Sequence, residues 1–124
     1  MSDEDGFEAE FPWGVLLLTD SASREMIPTW ASPEVTVAVA QTALVVRVRH
    51  ADDGPVDVRA VHSASAVRGS LVWDGRISVH SGVLRLSDAL GEQSFDLPVE
   101  RADLRVRLFA NDPHEASEVD VLLG

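Results

Sequence analysis

From Asp103 to Ala110, apolar side chains recur at every second position. Leu104, Val106, Leu108 and Ala110 fall on one side, and Asp103, Arg105, Arg107 and Phe109 fall on the other. A period of two marks a strand with one face in a core and one toward water. The same spacing recurs along the chain. Val35, Val37 and Val39 predict one strand, and Leu44, Val46 and Val48 predict another, with Arg47 and Arg49 outward. Val56, Val58 and Ala60 predict a third, and Val119, Val121 and Leu123 a closing one. Phe11 to Asp20 is an apolar run without alternation, which predicts a strand that is central or buried on both faces.

The breaks between these runs carry turn residues. Asp53-Gly54 separates the strand ending at His50 from the one starting at Val56, which predicts a hairpin with Arg47 or Arg49 facing Asp57. Asp74-Gly75 and Ser81-Gly82 separate Leu71–Trp73, Ile77–Val79 and Val83–Leu86, again at two-residue hairpin spacing. Gly91 marks a further turn, and Ser94–Leu97 leads through Pro98 into the long strand. Ser21 to Trp30 predicts a loop with one helical turn, capped by Ser21 or Ser23, and Pro28 and Pro33 bracket Trp30. Residues 63–69 and 111–117 predict connecting loops. About eight to ten short strands without a sustained helical period predict an all-β fold: an antiparallel β-sandwich, with a flattened β-barrel as the alternative.

Residues 1–10 hold five acids, which predicts a disordered acidic arm ahead of a single β-sandwich domain over 11–124. With 124 residues and 45% hydrophobic content, the chain is long enough for one core. The absence of Cys removes disulfides and thiolate chemistry and favours the cytoplasm. The acidic N-terminus does not resemble a secretory signal. The longest apolar stretch, Gly14–Leu18, is far short of the roughly 20 residues that span a membrane.

Charge narrows the partner. Ten basic residues, all Arg, against 21 acidic ones give a net charge of −11. Such a chain is repelled by phosphate, so direct nucleic-acid binding is disfavoured and a basic protein partner is favoured. The same charge also serves plain solubility.

Candidate chemistry is sparse. His50, His62, His80 and His114 lie in four separate segments with no metal-ligand spacing, even allowing for Asp52, Asp53 and Asp112. No GxSxG elbow or Gly-rich phosphate loop is present, and nothing supports a catalytic carboxylate pair. No catalytic residue, metal or cofactor is therefore expected. The candidate binding residues are loop and strand-face acids, namely Asp52, Asp53, Asp112, Glu115 and Glu118. Trp30 on its proline-bracketed loop is a candidate apolar anchor, whereas Trp13 and Trp73 are expected in the core. Arg105, Arg107 and Phe109 occupy the outward side of the long strand. The two arginines either form a basic stripe with Arg47 and Arg49 or pair with Asp57, Asp103, Glu118 and Asp120.

Three segments together resemble small bacterial β-sandwich proteins of the competence protein J type. They are Pro28-Thr29-Trp30 after the first strand, the turn Asp53-Gly54-Pro55-Val56, and Ser94-Phe95-Asp96-Leu97-Pro98 before the long strand. That family includes an inhibitor of a DNA-entry nuclease. The resemblance implies a sandwich fold and an inhibitor-like role. The function expected is a non-enzymatic acidic module that blocks or neutralises a basic partner such as a nuclease or toxin. A structural or self-associating domain, a homodimer for instance, is the alternative. A small-ligand binder or enzyme stands last.

Overall fold

The computed structural model describes residues 4–24, 27, 28, 30 and 35–123. Residues 25, 26, 29 and 31–34, on which the expected helical turn and Pro33 partly fall, lie outside the described residues. The described strands are β1 (Glu4–Ala9), β2 (Val15–Asp20), β3 (Val37–Val39), β4 (Ala43–Arg47) and β5 (Val56–Val61), then β6 (Ser70–Ser78), β7 (Val83–Asp88), β8 (Ser94–Pro98), β9 (Asp103–Ala110) and β10 (Glu118–Leu123). Short 3-10 turns occupy Pro12–Gly14, Ala51–Asp53 and Ala64–Ala66. No helix among the described residues is long and apolar enough to cross a membrane.

The strands form two five-stranded sheets, in the orders β1-β5-β10-β9-β6 and β3-β4-β2-β7-β8. They face each other as a sandwich and do not close into a barrel. Every neighbouring pair is antiparallel except β5 and β10, which run parallel. The alternation seen in the sequence becomes the core. Leu104, Val106, Leu108 and Ala110 of β9 are buried with Val56, Val58 and Ala60 of β5 and Val119 and Val121 of β10. From the opposite sheet come Leu16 and Leu18, Leu44 and Val46, and Leu84 and Leu86. Burying each of these valine or leucine side chains stabilises the fold by about 1.5–3 kcal/mol. β2 is the central strand of its sheet, as its apolar run predicts.

Several expected local features differ. Glu4–Ala9 is not a free arm: it forms β1 and pairs along its whole length with β5. Asp74-Gly75 is not a turn, because β6 runs unbroken from Ser70 to Ser78. Trp73 and Gly75 lie on the same face of the strand, and a Cβ on Gly75 would collide with the Trp73 ring. The glycine makes room for an indole packed against the core. Asp53-Gly54 and Ser81-Gly82 do turn the chain, but between sheets and not within hairpins. β4 therefore lies in one sheet and β5 in the other, and Arg47 does not face Asp57. The hairpin about Gly91 joins β7 to β8.

One polar feature sits inside the sheet bearing β9. The Asp120 side chain in β10 is fully buried. Burial opposes its ionisation, but hydrogen bonds from Arg59 and Arg68 outweigh that and hold its carboxyl below the usual range. Arg59 donates through Nε (3.1 Å) and Nη2, and Arg68 donates through its backbone N–H (2.7 Å), Nε (3.1 Å) and Nη2 (2.8 Å). Arg68 Nη1 also bridges Asp57 (2.8 Å) and Glu118 (3.0 Å). One arginine thus ties the loop after β5 to both parallel strands.

Three outcomes are expected. Because a Cβ on Gly6 would collide with the Val58 carbonyl, Gly6→Ala should destabilise the fold by about 1–3 kcal/mol in urea unfolding; a free arm would leave it unchanged. Asp120→Asn leaves two guanidinium groups without their buried anion and should cost about 3 kcal/mol or more. The Asp120 pKa is lower folded than unfolded, so its contribution is complete above the ordinary carboxylate value of 3.8 and is lost as pH falls through the lower folded value. Unfolding at stepped pH should show that loss in the parent and a shallower one in Asp120→Asn.

Candidate acidic binding site

Parallel pairing of β5 and β10 has a geometric consequence. The loops that enter these two strands must lie at the same end of the sandwich. They are residues 51–55 and 111–117, some 60 positions apart in sequence. The first turn is capped by His50, whose Nδ1 accepts the Asp52 N–H (3.0 Å), while the His50 carbonyl accepts the Asp53 N–H (2.9 Å). Gly54 follows at φ 122°, a backbone geometry that favours glycine.

The second loop is organised by two side chains. Asp112 Oδ1 accepts the N–H groups of His114 and Glu115, both at 2.9 Å. These bonds hold the exposed Asp112 carboxyl below its ordinary pKa. Asn111 Oδ1 accepts from Ser117 (3.0 Å) and Glu118 (3.1 Å), and its Nδ2 donates to Ser117 Oγ (2.8 Å). Ala116 is fully buried. Its carbonyl accepts the Arg49 N–H (3.0 Å), and the Ser117 carbonyl accepts the Asp57 N–H (2.8 Å). The loop is thereby fastened at both ends.

Between the two loops is a cleft of about 460 Å³, lined by Arg49, Asp53, Asn111, Asp112, Glu115 and Ser117. Three carboxylates face one guanidinium, and Asp52 stands beside them with its side chain 91% exposed. A surface of this kind suits cationic side chains. Among the described residues, no three His, Asp or Glu side chains converge on a position that could hold a metal ion.

The candidate residues therefore divide. Asp53, Asp112 and Glu115 line one cleft, with Asp52 adjacent. Glu118 lies on the sheet face in its ion pair with Arg68. Arg105 is also outside the cleft and pairs with Asp74 across β6 and β9, Nε to Oδ1 at 3.2 Å and Nη2 to Oδ2 at 2.9 Å. Arg47 belongs to the opposite sheet, so the four arginines form no common stripe. Arg107 and Phe109 are half-buried on the outer side of β9. Trp30 is half-buried too, its ring 4.0 Å from the Arg47 guanidinium carbon. Trp13, expected in the core, is 68% exposed. Sequence reasoning missed Arg49, Asn111 and Ser117 in the cleft; the Asn-Asp-Pro start of the second loop is the signal for side-chain-organised turns.

No family model matches the sequence. No curated protein matches it either. Among solved structures, that of ComJ from Bacillus subtilis, described as an inhibitor of the DNA degrading activity of NucA, matches with a TM-score of 0.73. The match covers 96% of this chain and 93% of that chain at 11% sequence identity. This chain thus shares the sandwich fold of ComJ over nearly its whole length.

Proposed function

We propose that this chain is a non-enzymatic binding protein that blocks a basic partner of the nuclease or toxin class through its acidic end. The observation that carries this reading is the convergence of Asp52, Asp53, Asp112 and Glu115 at one end of the sandwich. A nuclease groove must be positive to hold phosphate, and a cluster of carboxylates offers it a substitute for that charge. The net charge of −11 supports the same reading at long range. Complementary potentials raise association from a neutral rate of about 10⁵–10⁶ M⁻¹s⁻¹ toward roughly 10⁸–10⁹ M⁻¹s⁻¹ at low salt. The likeness to ComJ, itself a nuclease inhibitor, supports an inhibitor over an enzyme.

The test is DNA degradation by a NucA-type nuclease from the same genome, with and without this protein. Inhibition is expected, and it should weaken between about 0.1 M and about 1 M salt, where the screening length drops from roughly 10 Å to roughly 3 Å. The variant D52N/D53N/D112N/E115Q keeps the side-chain shapes and should associate at least about tenfold more slowly. Inhibition indifferent to both salt and these substitutions would contradict the acidic-end reading.

A further inference from the structure

Trp13 is the one non-glycine residue among the described residues with a positive φ, at φ 65° and ψ 5°. A left-handed backbone costs a bulky residue about 1–2 kcal/mol. The turn that imposes it is rigid. The Phe11 carbonyl accepts the N–H groups of both Gly14 and Ala51, each at 3.0 Å, and the Gly14 carbonyl accepts the Val48 N–H at 2.9 Å. Gly14 is itself at φ 65°, and a Cβ there would come within 2.8 Å of the Val48 carbonyl oxygen. Phe11 is fully buried, and two residues later the chain holds an indole 68% exposed. Trp13 takes no part in the core. Strain combined with exposure of a large apolar group is costly for stability and is typical of binding sites.

The surroundings say what Trp13 would meet. On one side it rims an apolar groove of about 340 Å³, whose lining includes Val15, Leu17, Ile27, Trp30 and Val45. On the other side, through the shared Phe11 carbonyl, it adjoins the 3-10 turn carrying Asp52 and Asp53. Arg47 already stacks over Trp30 in the sheet behind the groove, so a cationic occupant is disfavoured there and an apolar one favoured.

We infer that Trp13 is the apolar anchor of the partner interface. It seats a non-polar side chain of the basic partner in this groove while the neighbouring carboxylates meet the partner's cations. The inference rests on the function proposed above and adds the residue and chemistry of its apolar half. A tryptophan that becomes buried at the centre of an interface is a frequent hot spot.

Anchor and acids act on different rates. Trp13→Ala should speed dissociation from the NucA-type nuclease by about tenfold or more, with association nearly unchanged. Trp13→Phe should recover much of the loss. Thermal stability of Trp13→Ala should equal or exceed that of the parent. A dissociation rate within about twofold of the parent, in a protein whose acid variant still associates slowly, would overturn this inference and leave the proposed function standing. A loss of thermal stability without faster dissociation would make Trp13 a structural residue. Absence of any inhibition by the parent would overturn both.

Discussion

The buried carboxylate of Asp120 constrains the sheet that carries β5 and β10. Asp120 lies in β10, the middle strand of its sheet, where no water reaches its side chain. An ion so placed is tolerated only when fully answered by donors. Arg59 and Arg68 answer it, one from the neighbouring strand and one from the loop that follows. Slipping β10 by one residue against β5 would separate those partners and turn Asp120 toward the core. Buried ion pairs add little net stability compared with apolar packing, so register is the more natural role of this one.

The direction of that pairing has a geometric consequence. Because β10 runs parallel to β5, the loops entering both strands meet at one end, and their acids share a cleft. An antiparallel pairing of the same strands would have sent the two loops to opposite ends. The Pro12–Gly14 turn is fastened to the same end through Phe11 and Ala51. Charge, cleft and exposed indole are thus gathered by backbone geometry, from segments that are far apart in the chain.

Much of this fold was legible in the sequence, because alternation is a local property. The inward side of β9 and the existence of β4, β5 and β10 follow from their spacing alone. Pairing is not local. Asp53-Gly54 marks a turn correctly, yet nothing in those two residues says whether the next strand returns to the same sheet. Asp74-Gly75 has the composition of a hairpin turn, but the glycine serves the Trp73 ring. The acids of residues 1–10 suggest solvation, whereas the alternation within Glu4–Ala9 pairs with β5. In the site, Asp52, Asp53, Asp112 and Glu115 were identifiable as loop acids, but their convergence depends on the one parallel pair. Trp13 sits between a proline and a glycine, the composition of a turn, and the apolar run after it masked that signal.

The proposed function places the partner on the end of the sandwich formed by residues 11–14, 50–54 and 111–117. Mapping amide chemical shifts of this protein as a NucA-type nuclease is titrated in tests it most directly. The perturbed amides should cluster in those three segments. Perturbations centred on the β6 edge, or on the loop between β8 and β9 at the other end, would contradict it.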